Sequence, residues 1–298
     1  MPELTAEAGR LDAVVTAALR VPRAEVQRAI ESGRVTVDGR KRPKSFRLSG
    51  GEFVRAEVGP DDDLPPEPGG VPVRYRDEHL LVIAKPAGLV THPSARRRSG
   101  TLVNRLLGME LPLSTLGGPL RRGIVHRLDV RTSGLMIVVL DDATHEALQE
   151  AFRRHAVDRR YLALVRGRTE HDGFTVDAPL DRHGARVVVR PETGRAAATA
   201  FEVREGFGRA TLLEAVPRTG RTHQIRAHLR AIGHPILGDA RYGGGGDDAR
   251  RVGLVRPFLH SWRIGFTHPV TDERVEVEES LPEDLAGALV AARRDLRS

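Results

Sequence analysis

The chain has 298 residues, 40% apolar and 29% charged, with a formal net charge of +7, which suits a soluble protein with one sizeable core and a small accessory domain. It has no cysteine, which excludes disulfides, thiolate nucleophiles and cysteine-held zinc or iron–sulfur sites, and at 4% its aromatics are too few for a broad base-stacking platform. No apolar run approaches the roughly 18 residues of a membrane span, and the opening MPELTAEAGRLDAVV lacks a basic stretch followed by an apolar one, so a cytoplasmic location without membrane contact is expected.

The basic excess makes a polyanion a candidate partner. The only lysines are Lys41, Lys44 and Lys85 and the other basic residues are arginines, a bias that genome composition also produces.

In chain order, Leu11, Val14, Val15 and Leu19 recur at helical spacing, and so do Val26, Ala29 and Ile30, with Gly33 ending the second helix. RVTVDGR then alternates, with Val35 and Val37 on one face and Asp38-Gly39 as a tight turn. From Arg10 to Val58 eleven Lys/Arg face six Asp/Glu, with a cluster at Arg40, Lys41, Arg42, Lys44 and Arg47. RLD at Arg10–Asp12, EVQRAIESGRVTVDG at Glu25–Gly39 and SGGEFV at Ser49–Val54 resemble the small RNA-binding module named after ribosomal small-subunit protein four. That resemblance implies docking on structured RNA through the second helix and the basic loop, with Arg40, Lys41, Arg42 and Lys44 as contacts. A merely solvated basic face is the plainer reading.

GPDDDLPPEPGG reads as a solvated, acidic, proline- and glycine-rich linker. The expected division is a small αβ domain over 1–58, a linker over 59–71 and a large domain over 72–298. In the large part the expected strands are LLVIAKP, GIVHRLD, GLMIVVL, RYLALVRG, ARVVVRP, ATAFEVRE, ATLLEAVP and FLHSWRIGF, with helices at Ala143–His155 and Thr222–Ile232. Adjacent strands with occasional helices predict an α+β fold rather than a parallel βαβ series.

Three stretches could carry chemistry. In HRLDVRTSG, Asp129 lies between Arg127 and Arg131, so its carboxylate is expected to stay ionised and serve as nucleophile or base. An Asp-capped turn with structural ion pairs fits the same residues. In RTGRTHQIRAHLRAIGHPILGD, Thr222 is expected to cap a helix with Ile225, Leu229 and Ile232 on its apolar stripe and Gln224 and His228 pointing elsewhere. Arg226 or Arg230 could pair with a carboxylate from another element, although the stretch also reads as a basic surface helix. In DRRYLALVRG, Tyr161 opens a strand, where a half-buried sheet residue is commoner than a base-stacking ring.

Taken in order, GIVHRLDxxTSG, RxYxALVxG and TGRTHQIRxHLxxxGHPILGD are similar to the signature of the ribosomal-RNA pseudouridine synthases of the RluA and RluD class. The similarity extends to LLVIAKPAGLVTHP at Leu80–Pro93 and FLHSWRIGFTHP at Phe258–Pro269. It implies the pseudouridine synthase fold, a central, mostly antiparallel mixed sheet with flanking helices and loops. It also implies that Asp129 is the catalytic aspartate, that Arg226 is its ion-pair partner and that Tyr161 stacks on the uracil. By the same resemblance Arg127 fills the gap left by a flipped nucleotide and Leu259 lines the pocket. His126, Thr132, Arg221 and Gln224, in the same motifs, are expected to contact RNA. The chain departs from the family at Ala84-Lys85-Pro86, where Asn-Lys-Pro is usual, and at Leu140-Asp141-Asp142, where a basic residue is common.

The implied reaction isomerises uridine in structured RNA without cofactor or metal, with large-subunit ribosomal RNA the expected substrate, tRNA the runner-up and a monomer the default. A glycosidase would need two carboxylates flanking the sugar bond, and a His126–Asp129–Ser133 triad would lack a nucleophile elbow. A non-catalytic RNA-binding assembly factor on the same fold is the remaining alternative.

Overall fold

The computed structural model describes residues 3–58, 64–94 and 97–296, so Gly59–Asp63 of the expected linker lie outside the described residues. The chain divides into two compact units, Met1–Pro65 with Ser94–Arg98, and Pro66–Pro93 with Ser99–Ser298.

In the first unit the helical spacings form helices Leu11–Leu19 and Arg23–Glu31. They cover an antiparallel sheet in the order Glu3–Thr5, Phe53–Ala56, Val35–Val37, Arg40–Lys41. Leu11, Val15, Val26, Ala29, Val35 and Val54 are fully buried between these layers. The expected turn is present: Asp38 and Gly39 both have positive φ (49° and 74°), as a tight primed hairpin requires. The Asp38 carboxylate accepts a hydrogen bond from the Phe53 N–H at 2.9 Å. Asp12 is fully buried at the start of the first helix. Burial works against its charge, but hydrogen bonds from Arg10, Gln27 and Arg23 outweigh burial and hold the carboxyl far below its ordinary range.

The second unit is built on a nine-stranded sheet. Its order is Gly173–Asp177, Ala198–Gly206, Ala210–Pro217, Asp158–Arg166, Leu259–Thr267, Ser133–Val139, Leu80–Lys85, Val73–Arg76, with Arg274–Glu278 also paired to Leu259–Thr267. Every pairing is antiparallel except one short parallel contact, His260 with Ser133 and Ser261 with Gly134. The α+β reading and the mostly antiparallel mixed sheet therefore hold. Leu80–Lys85 and Ser133–Val139 are buried at every position, which is why their sequences are continuous rather than alternating apolar runs. Helix Asp142–Arg153, capped by the Asp141 carboxylate on the Thr144 N–H, lays Leu148 on this core beside Leu135, Ile137 and Phe266.

Four sequence expectations need correction. GIVHRLD is not a strand, because Ser133–Val139 holds Leu259–Thr267 for only two residues and the His126 ring takes over beyond that point. Its Nε2 accepts the Ile137 N–H at 2.9 Å, where a neighbouring strand would supply a carbonyl. Only the backbone of Gly123 and Ile124 reaches the sheet edge, through the Val139 N–H bond to Gly123 and an isolated bridge from Ile124 to Val138. Thr222 does not cap the later helix, which is Gln224–Ala231 with left-handed His223 before it and no side-chain cap. Instead of pointing elsewhere, Gln224 and His228 on that helix are buried and bonded to the sheet side. The second unit also holds helices that the sequence reading left out, Leu102–Leu107, Asp247–Arg251 and Glu283–Asp295, and short strands such as Arg274–Glu278.

Candidate active site

Without regular structure of its own, the loop carrying Asp129 is pinned from both sides. The Gly88 N–H donates to the Val130 carbonyl at 2.6 Å, and the Thr91 hydroxyl donates to the Leu128 carbonyl at 2.8 Å. Thr132, buried, closes the turn with its N–H on the Asp129 carbonyl at 3.1 Å. The segment 86–91 is held in turn by Lys85, whose Nζ donates to the carbonyls of Pro86 and Leu89 at 2.8 and 3.0 Å. Burial pushes the Lys85 ammonium down to about 7, against the pull of the Asp129 carboxylate.

The cation at Asp129 comes from neither Arg127 nor Arg131. Arg226, on the first turn of helix Gln224–Ala231, donates from Nη1 to Asp129 Oδ2 at 2.9 Å. Its other edge grips Asp239 in a two-point pair, Nε to Oδ2 at 2.6 Å and Nη2 to Oδ1 at 3.0 Å, the geometry for which a guanidinium is suited. The guanidinium also lies 4.8 Å from the centre of the Tyr242 ring. Arg226 and Asp239 are buried while the Asp129 side chain keeps 15% exposure, so of the two carboxylates only Asp129 is open to the cleft. Burial disfavours the Arg226 charge, but the hydrogen bonds and attraction of Asp239 and then Asp129 more than reverse this and raise its pKa. His223 presents Nε2 to Asp129 Oδ2 at 3.8 Å.

The cleft above this pair has a volume of about 790 Å³ and is lined by Asp129, Arg226, Tyr161 and Leu259, with His126, Arg127, Thr132, Arg221 and Gln224 also on its wall. Tyr161 is buried on Asp158–Arg166 where the pairing with Leu259–Thr267 shifts register past Trp262. Burial pushes its phenol up, with Arg159 and a hydrogen bond to Ser261 pulling the other way. Leu259 is buried beside it and Arg127 is exposed at the rim. The Gln224 amide is committed within the protein. It donates to the Ala198 carbonyl at 2.9 Å and to Thr199 Oγ1 at 3.0 Å, and accepts from the Arg221 N–H at 3.0 Å. The Arg221 Nε donates to the Ala196 carbonyl at 3.1 Å. Nine of the thirteen candidate residues thus meet at one cleft. The other four, Arg40, Lys41, Arg42 and Lys44, belong to the first unit. There Lys44 pairs with Glu31 at 2.7 Å, and the Arg42 guanidinium stacks 4.8 Å from the Phe46 ring centre.

Residues 79–231 match the RNA pseudouridylate synthase family, and residues 9–54 match the S4 domain. The chain belongs to the RNA pseudouridine synthase family. The synthase is 40% identical over 301 residues to ribosomal large subunit pseudouridine synthase D of Xanthomonas campestris, covering 96% of this chain and 89% of that one. It is 38% identical over 277 residues to an uncharacterized RNA pseudouridine synthase, YlyB, of Bacillus subtilis, covering 92% and 90%. Among solved structures, human RNA pseudouridylate synthase domain containing 4 superposes with a TM-score of 0.59 at 25% identity, over 74% of this chain and 93% of that one. The synthase is therefore an isomerase whose partner is RNA. Among the described residues no helix is long and apolar enough to cross a membrane.

Sequence reasoning gave no role to Asp239, His223 or Tyr242. Asp239 was within reach, since it closes the GHPILGD motif. What could not be read was that the chain turns back after the helix and brings this carboxylate to Arg226.

Proposed function

We propose that the enzyme isomerises a uridine of large-subunit ribosomal RNA to pseudouridine, with the Asp129 carboxylate acting at the ribose and no added cofactor. The observation that carries this reading is the Asp129–Arg226 pair, one carboxylate oxygen bonded at 2.9 Å on the wall of a cleft large enough for an everted nucleotide. The substrate assignment follows the large-subunit pseudouridine synthase named above.

Eversion of a uridine costs a few kcal/mol of stacking and pairing. Tyr161 and Leu259 would hold the base, with Arg127 entering the vacated stack. The N1–C1′ bond then breaks with its electron pair on N1. Asp129 either attacks C1′ or takes the C2′ proton to leave a glycal. The freed base turns and bonds through C5 to C1′. On the first route the Asp129–C1′ ester bond breaks as this happens and returns its electron pair to the carboxylate; on the second Asp129 gives the C2′ proton back to the glycal. C5 then loses its proton and N1 gains one. Atoms and charge balance and nothing is oxidised. Arg226 would hold Asp129 aimed at the sugar.

In the same reading the chain is an RNA-docking module over 1–58, a linker over 59–71 and a catalytic domain over 72–298. The module would dock through helix Arg23–Glu31 and the basic segment Arg40–Lys44. The test is to treat ribosomal RNA and tRNA transcripts with wild-type and Asp129→Asn protein and map pseudouridine. New pseudouridine in the large-subunit transcript from the wild type alone is expected. Product only in tRNA reassigns the substrate, and product from neither protein supports a non-catalytic assembly factor.

A further inference from the structure

His223 stands immediately before helix Gln224–Ala231 with φ of 53° and ψ of 21°, a left-handed backbone that a side chain other than glycine rarely adopts without a reason at the site. The strain puts its ring beside Asp129 and not out in solvent: the side chain is only 15% exposed, with Nε2 3.8 Å from Asp129 Oδ2. The other ring nitrogen, Nδ1, is 2.9 Å from the Tyr242 hydroxyl, and the two rings meet edge to face at 88°. Tyr242 is buried, and its oxygen already accepts the Val187 N–H at 2.8 Å. The hydroxyl proton is therefore free to go to Nδ1, which makes Nδ1 an acceptor and leaves the ring's own proton on Nε2, the atom facing Asp129.

Granting the function proposed above, we infer that His223 is a positioning residue for the reaction: a neutral imidazole whose Nε2–H, fixed in that tautomer by Tyr242, closes onto Asp129 Oδ2 when RNA fills the cleft. With Arg226 already donating to Oδ2, a second donor there leaves Oδ1 as the oxygen presented to the ribose, whichever of the two routes the carboxylate takes. Tyr242 serves both donors, since its face backs the Arg226 guanidinium and its hydroxyl sets the imidazole. The groups around the ring agree with a neutral state. Burial first, then the Arg226 and Arg241 cations, hold its pKa below the ordinary histidine value, outweighing the attraction of Asp129 and Asp239. Protonation would place a hydrogen on Nδ1 against the tyrosine hydroxyl, break that setting and impair the enzyme on the acid side of its pH optimum.

The test compares wild-type, D129N, H223G and H223Q enzymes in single-turnover reactions on a large-subunit ribosomal RNA transcript, with RNA affinity measured in parallel. Glycine suits the left-handed backbone, so H223G is expected to fold while losing the donor. Its rate should fall by about tenfold or more, the scale of a mis-aimed reacting group, with RNA affinity unchanged. Glutamine can carry an N–H to nearly the same place and does not titrate. H223Q should therefore recover most of the rate and carry its acid limb to lower pH. An H223G rate close to wild type, an H223Q enzyme no better than H223G, or an unmoved acid limb in H223Q overturns the inference. If the wild type is inactive, or D129N matches it, the functional reading fails and this inference with it. An active wild type, a dead D129N and an unimpaired H223G sink the inference alone.

Discussion

Arg226 does two jobs at the scale of single residues, and they can be separated. It aims Asp129 and it neutralises Asp239, whose side chain is 2% exposed. Replacing Arg226 by Met should abolish turnover and also cost about 3–5 kcal/mol of stability, because it strands a buried carboxylate. Adding Asp239→Leu to that variant should return most of the stability and none of the activity, as read by thermal melts and single-turnover assays. Arg226→Lys keeps the charge but cannot grip one carboxylate at two points while reaching another, so it should stay stable and slow. His126 supplies a pH test. Burial, with the Arg159 cation adding to it, pushes its pKa from the ordinary 6.5 down to about 3. Between those values the unfolded chain binds the extra proton and the folded chain does not, so stability should fall as the pH drops from 6.5 towards 3. In His126→Leu that slope should be shallower in acid titrations followed by circular dichroism.

At the scale of elements, the clearest test is Gly134, where Ser133–Val139 meets Leu259–Thr267. Its φ is 118°, and a Cβ there would lie 2.1 Å from the Ser261 carbonyl oxygen. Gly134→Ala should therefore pry the two strands apart, lowering the melting temperature and the rate together, since Asp129 and Leu259 hang from opposite sides of this junction. How much of this was legible depended on which part of a residue did the work. LLVIA and GLMIVVL declare themselves because every side chain is buried and the apolar run is unbroken. GIVHRLD has the same apolar start, yet a histidine ring there does what a strand's backbone would do, and no periodicity records that substitution. Thr222 failed as a cap because Gln224 reaches back to the Arg221 N–H and satisfies the turn from inside the helix. Asp129 and Arg226 were readable as motif residues. Their meeting across 97 positions was readable only through the family resemblance.

For the whole molecule, the charge carried by the first unit bears on the docking proposed for it. Arg40 and Lys41 are exposed, whereas Lys44 is tied to Glu31. Changing Arg40, Lys41, Arg42 and Lys44 together to Ala in the full chain should weaken RNA binding. It should also flatten the plot of log affinity against log salt by roughly 0.7–0.9 for each phosphate that is no longer neutralised. The rate at saturating RNA should not change. Restoring Lys44 alone should recover the least. An unaltered salt slope would remove the docking role from these side chains. The loop that carries Asp129 has a different consequence. Because Gly88 and Thr91 fasten the carbonyls on both sides of Asp129, and Arg226 already grips it, this loop has little left to rearrange when substrate arrives. The work of distortion is then left to the nucleic acid, and transcripts whose target nucleotide is already bulged or mispaired should react faster than those in which it is stacked and paired.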